Sequence, residues 1–194
     1  RRRHSFPTRR SSDLAERPID LLFIGSMNER RKKIIDEIES EGVNVAFFDA
    51  PLYGPERDEI IRQAKAVVNC HFYETARFEQ ARAFQCLSLG TPVISERTPA
   101  THPGANFEDS VFWVRSGEWK KFIREVFLTE QFAQLSGEKL KEFQRHDLME
   151  IFADALAFSQ SFANVYCEKI SPDPWKPQFL HIGSGKDYLM GWLN

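Results

Sequence analysis

The residues best suited to chemistry crowd into HFYETARFEQARAFQCLSLGTPVISE, from His71 to Glu96. Glu74, Arg77, Glu79 and Arg82 follow directly on the apolar run AVVNC. A guanidinium offers a planar fork of N–H donors that grips a phosphate through two parallel bonds, and the free N–H groups at a helix start favour negative charge. Arg77 is therefore the first candidate for a diphosphate clamp. Arg82 has two readings: a second clamp residue, or half of an ordinary i,i+3 ion pair with Glu79. His71 and Tyr73 can stack on a nucleotide or bond to it, although a histidine at a strand end is more often simply buried. Glu96, closing the run TPVISE, points toward the same side and can bound the pocket.

A second candidate anion site is the turn Gly25-Ser26-Met27-Asn28-Glu29-Arg30-Arg31. Glycine permits close backbone approach, and Arg30 or Arg31 can reach a phosphate from a first helical turn. A solvated charged face explains the basic run RRKK equally well. No Ser-His-Asp set, P-loop or metal-ligand spacing is present. Cys70, Cys86 and Cys167 are odd in number and lack C-x-x-C spacing, which favours neither a disulfide framework nor a zinc site.

These residues need a scaffold, and the hydrophobic pattern supplies one. IDLLFIG reads as a short buried strand ending at Gly25, and RRKKIIDEIESEG as a helix with Ile34, Ile35 and Ile38 on one face. VNVAFFDA is a second strand, PERDEIIRQA a helix opening near Pro55, KAVVNCHF a third strand, TARFEQARAFQCLSLG a helix and TPVISE a fourth strand. VFWVRS reads as an edge strand and GEWKKFIREVFL as an amphipathic helix, with two more helices expected between about Gln131 and Tyr166. Apolar strands alternating with helices predict a Rossmann-like α/β fold, a parallel sheet with helices on both faces.

The run from His71 to Glu96 resembles the C-terminal, donor-binding half of GT-B glycosyltransferases, particularly the spore-maturation-protein-like branch. The resemblance extends over roughly residues 19–165. It implies a nucleotide-diphosphate-sugar donor at the carboxyl ends of the strands and an acceptor-binding half elsewhere that supplies any catalytic base. The donor-site set it implies here is Gly25, Ser26, Arg30, His71, Tyr73, Glu74, Arg77, Glu79, Arg82 and Gln85, with no bound cofactor. Many retaining members carry a glutamate where this chain has Gln85; an amide can still bond a ribose hydroxyl but carries no charge. The branch's R-x-F-E pattern stands here as Arg82-Ala83-Phe84-Gln85.

The termini read differently. HSFPTRRSSDL, ending at Leu14, looks like a translated sequencing-adapter oligonucleotide, or else a basic arm, so residues 1–14 are set apart from a donor-binding domain at 15–168. KISPDPWKP, over 169–177, reads as a proline-rich linker. QFLHIGSGKDYLMGWLN, within 178–194, resembles the first motif of class I S-adenosylmethionine-dependent methyltransferases, cut short, or an added edge strand. Two further readings follow: a methyltransferase fused to a degenerate glycosyltransferase-like domain, and a noncatalytic nucleotide-sugar-binding scaffold.

Hydrophobic residues at 42% and charged residues at 28% are ordinary globular proportions, and the formal net charge of -2 gives no whole-molecule attraction to nucleic acid. No apolar window is long enough for a membrane span, and a cytoplasmic protein is expected.

Overall fold

The computed structural model describes residues 14–48, 53–147, 153, 155–161, 179–180 and 192–193. The chain divides into two compact units, Arg1–His146 and Asp147–Asn194.

The first unit is built on a five-stranded, all-parallel sheet in the order β2-β1-β3-β4-β5. Its strands are β1 (Ile19–Phe23), β2 (Val45–Phe47), β3 (Ala64–Asn69), β4 (Val93–Arg97) and β5 (Phe112–Arg115). Helices α1 (Glu29–Glu39), α2 (Gly54–Gln63), α3 (Gln80–Ser88) and α4 (Ala105–Glu108) alternate with them. After β5 come α5 (Trp119–Phe122), which runs on as a π-helical turn over Ile123–Phe127, and α6 (Gln131–Arg145). The α/β, Rossmann-like expectation holds.

Parallel strands covered on both faces must be apolar throughout, which is why they stand out in the sequence as continuous runs. Leu21, Phe23, Ala66, Val68 and Ile94 face one side and meet Ile34, Ile35 and Ile38 of α1 together with Trp119, Ile123 and Phe132. Leu22, Val67 and Val93 face the other side and meet Ile61 of α2, Ala83, Cys86 and Leu87 of α3, and Phe107 of α4. Leu140 and Phe143 of α6 also pack on that second cluster.

One boundary differs from expectation. The helix anticipated from Thr75 begins only at Gln80, because two side chains before it are needed elsewhere. Phe78 is buried with its ring edge-on to Phe107 and Trp113, at centroid separations of 5.3 and 4.9 Å. Glu79 turns its carboxylate toward β3. Leu14, the last residue of the set-apart arm, is buried, and its carbonyl accepts a hydrogen bond from the Arg17 N–H. The remainder of that arm lies outside the described residues.

In the second unit, residues 155–161 are helical, and β6 (Phe179–Leu180) pairs in parallel with β7 (Trp192–Leu193). The expected linker at 169–177 and the turn Gly183-Ser184-Gly185 lie outside the described residues. Among described residues, no helix is long and apolar enough to cross a membrane.

Candidate functional site

The order β2-β1-β3-β4-β5 reverses direction between β1 and β3. From β1 the chain leaves to α1 on one face, and from β3 to α3 on the other. Two loops that part to opposite faces leave a crevice at the carboxyl ends of the two strands, the usual ligand position in an open α/β sheet. Gly25 and Ser26 lie in the first loop, and Cys70 to Glu79 in the second.

Arg31 forms the floor of this crevice. Asn28 caps α1 by accepting the Arg31 backbone N–H at 2.8 Å, while its own amide donates to Phe72 O at 2.8 Å, tying the two loops together. The Arg31 side chain is 4% exposed and folds inward. Its Nε donates to Cys70 O at 2.9 Å and its Nη1 to Ser26 O at 2.7 Å. The guanidinium carbon lies 5.4 Å from the Phe23 ring centre and 5.1 Å from that of Phe72, a double cation–π contact. Burial lowers its pKa, and the charge of Arg82 lowers it further.

Arg82 reaches the same space from the first turn of α3. Its Nη1 donates to Asn69 Oδ1 at 2.8 Å, and its Nη2 has no hydrogen-bond partner among the described residues. A Cβ placed on Gly25 would lie 3.3 Å from Arg31 Nη1 and 3.4 Å from Arg82 Nη2. Two guanidinium groups thus border one methyl-sized space above a glycine at φ +143°. Glu79 gives partial compensation, with Oε1 3.5 Å from Arg31 Nη2. Like charges held together with only one nearby carboxylate give this spot a local excess of positive charge.

A buried polar network positions this pair. Asn69 ends β3 and donates to Glu79 Oε2 at 2.9 Å and to Ser95 Oγ at 3.0 Å. His71, fully buried, sits 2.9 Å from Glu79 through Nδ1 and 2.9 Å from Thr101 Oγ1 through Nε2. Since a carboxylate only accepts, the His71 Nδ1–H donates to Glu79. Burial raises the Glu79 carboxyl pKa, but the hydrogen bonds from His71 and Asn69 and the charges of His71 and Arg82 outweigh it, leaving a net depression.

Arg30 is committed elsewhere. It forms a two-pronged pair with the fully buried Glu96 and donates to His71 O at 3.0 Å, while Glu96 Oε2 also accepts from His71 N at 3.1 Å. The Glu96 hydrogen bond raises the Arg30 pKa against the opposing effect of burial. This pair bolts α1 to β4 and commits both Nη atoms of Arg30 to Glu96 and to the His71 carbonyl.

The structure therefore brings together Gly25, Ser26, Glu79 and Arg82 of the expected set, and adds Arg31. His71 supports the site from behind and presents no ring face to it. Tyr73, Glu74 and Arg77 are exposed on the loop before α3, and Arg77 has no hydrogen bond or ion pair among the described residues. Gln85 turns away to donate to Asp58 Oδ1 at 2.6 Å. Sequence reasoning left Arg31 as an alternative to Arg30 and passed over Asn69, Thr101 and Asp58. Helical spacing holds the missing signal, since Arg31, Ile34, Ile35 and Ile38 share a face and Arg30 is off it. Asn69, the polar residue closing an otherwise apolar strand, carries a similar mark.

Among described residues, no group of three or more His, Cys, Asp and Glu is placed to hold a metal ion. A cavity of about 350 Å³ lies at the opposite, amino-terminal rim of the sheet, lined by Leu14, Val43, Phe127, Leu128 and Phe132. Asp20 and Lys65, paired at 2.6 Å, also border it. It is remote from the guanidinium pair, and among the described residues the one cation on its border, Lys65, is paired with Asp20.

No protein-family model matches the chain. Its relatives include uncharacterized proteins of Acanthamoeba polyphaga mimivirus. It is 36% identical to protein L138 over 78 residues, which is 40% of this chain and 9% of that protein. It is 32% identical to protein L140 over 78 residues, covering 40% of this chain and 26% of that protein. To protein L137 it is 29% identical over 85 residues, or 43% of this chain and 12% of that protein. The chain thus spans about a quarter or less of the length of these relatives.

Proposed function

We propose that the first unit binds a nucleotide-diphosphate sugar and serves as the donor-holding part of a glycosyltransferase. One observation carries this reading: Arg31 and Arg82 converge on Gly25 at the point where the sheet reverses direction. A diphosphate placed there takes N–H donors from Arg82 Nη2 and the Arg31 edge, at a spot where the glycine leaves room for its oxygens. In glycosyl transfer the nucleotide leaves with an added negative charge. Donors fixed in advance and partly shielded from water stabilise that charge without reorganising. The apolar platform of Phe23 and Phe72 keeps Arg31 in place whether or not a ligand is bound.

Calorimetric titration of the whole chain with UDP, GDP and UDP-sugars tests this. Saturable binding that is lost in Arg31→Ala and in Arg82→Ala supports the donor site. Absence of binding by every nucleotide would remove it and leave a noncatalytic scaffold in front. The methyltransferase-fusion reading draws on the parallel pairing of β6 with β7, since consecutive parallel strands are how an α/β unit opens.

A further inference from the structure

The fully buried ring of His71 is held by partners that serve either of its charge states. Its Nδ1 lies 2.9 Å from Glu79 Oε2 and its Nε2 2.9 Å from Thr101 Oγ1. Thr101 Oγ1 also accepts the Thr98 backbone N–H at 2.9 Å and stands 3.2 Å from Thr98 Oγ1, with either hydroxyl able to donate. Beside a neutral ring, Thr98 donates its hydroxyl to Thr101, and Thr101 donates to Nε2. Beside a charged ring, the Nε2–H donates to Thr101, which donates in turn to Thr98. Thr101 makes three hydrogen bonds in both cases, and no heavy atom has to move. Thr98 is half-buried, so the two hydroxyls lead from the enclosed ring toward solvent.

The charges around the ring decide which state holds. Glu79 faces it from the loop before α3, and Glu96 of β4 accepts the His71 backbone N–H. Arg30 of α1 binds the His71 carbonyl and is paired with Glu96. Arg31 of α1 lies 3.5 Å from the other Glu79 oxygen, and Arg82 of α3 reaches Asn69, which donates to Glu79 Oε2. Cys70 is a thiol whose pKa burial pushes up, while Glu74 after β3 and His102 after β4 are exposed. Arg30 and Glu96 offset each other, which leaves two guanidinium groups against Glu79, a carboxylate that stays ionised into acid. A third cation is opposed there until a dianion enters the crevice and turns the local excess negative. We propose that His71 takes up a proton through Thr98 and Thr101 when an anion binds between Arg31 and Arg82, so that the crevice holds its ligand more tightly as pH falls. Thr101 passes its hydroxyl proton to Nε2 and is reprotonated by Thr98, which is reprotonated from solvent. This coupling rests on the anion-site reading given above.

Sulfate, which stays a dianion across the neutral range, is the calorimetric probe, because inorganic pyrophosphate exchanges protons of its own. Titrating the full chain in buffers of different ionisation enthalpy counts the protons bound with each sulfate. The unsubstituted chain is expected to take up a proton between about pH 6 and 8 and to gain affinity by up to about tenfold per unit fall in pH, the limit for one linked proton. His71→Gln should bind sulfate without proton uptake and with an affinity that does not follow pH, while His102→Gln should match the unsubstituted chain. Thr101→Val leaves a charged ring's Nε2–H without its acceptor, and should lose the uptake while keeping the binding seen at high pH. NMR of the imidazole signals gives the answer without any substitution: sulfate or pyrophosphate should move the His71 titration midpoint to higher pH and leave that of His102 in place. Uptake that persists in His71→Gln, or a His71 midpoint that a bound anion leaves unmoved, overturns the proposal and spares the anion site. Failure of both sulfate and pyrophosphate to bind the unsubstituted chain sinks the anion site and the proton coupling together.

Discussion

Gly25 sits at φ +143°, where an L side chain is strained, and the space its missing Cβ would fill is bordered by Arg31 Nη1 and Arg82 Nη2. Gly25→Ala is therefore expected to abolish pyrophosphate binding while the chain still folds, measured by calorimetry alongside a thermal melt. Retained affinity would show that no anion uses that space. Glu79 makes a prediction of a different kind. Its carboxyl titrates below the ordinary 4.5 in the folded chain, so the unfolded chain takes up that proton first as the pH drops. The stabilisation it gives is complete above the unfolded value and disappears as pH falls through the folded one. The stability difference between the wild type and Glu79→Gln should hold steady from neutrality to about pH 5 and shrink in stronger acid, as read by urea unfolding. A difference that grew on acidification would contradict the pairing. Single residues were unevenly legible. Arg82 and Gly25 were visible because charge and glycine stand out after apolar runs. Arg77 stood out equally, and yet faces solvent, since nothing local distinguishes a clamp from a solvated cation.

Among the elements, α1 is joined to β4 by Arg30 and Glu96, and the carboxylate is fully buried. Removing one partner strands the other in a medium that solvates it poorly. Arg30→Met should destabilise the fold by about 3–5 kcal/mol in chemical unfolding. A loss under about 1 kcal/mol would mean that water reaches Glu96. The strands and α1 could be read in advance because burial on both faces writes a continuous apolar run and burial on one face a helical stripe. The start of α3 could not, because Phe78 and Glu79 obey tertiary demands, an aromatic cluster with Phe107 and Trp113 and a carboxylate for His71 and Asn69. Helix propensity across TARFEQ is a weaker force than those contacts.

At the scale of the whole molecule, the guanidinium pair occupies the carboxyl-terminal rim of the sheet and the apolar cavity the amino-terminal rim. A chain ending at His146 keeps all five strands and α6, and is expected to melt in a single cooperative transition by circular dichroism. Broad, noncooperative melting would show that the first unit needs more than its own contacts.

Cys70 belongs to the apolar cluster on one face of the sheet and Cys86 to the cluster on the other, both fully enclosed. Burial pushes both thiols upward, Cys86 to about 12, so neither forms the thiolate that alkylating reagents attack while the fold is closed. Each is thus a built-in reporter of its own layer. In a Cys167→Ser background, the rate at which iodoacetamide labels each of the two gives the free energy of exposing that layer. Equal rates would mean that the sheet sheds both coats in one event. Faster labelling of Cys86 would mean that the α2–α3 side opens while the other stays shut.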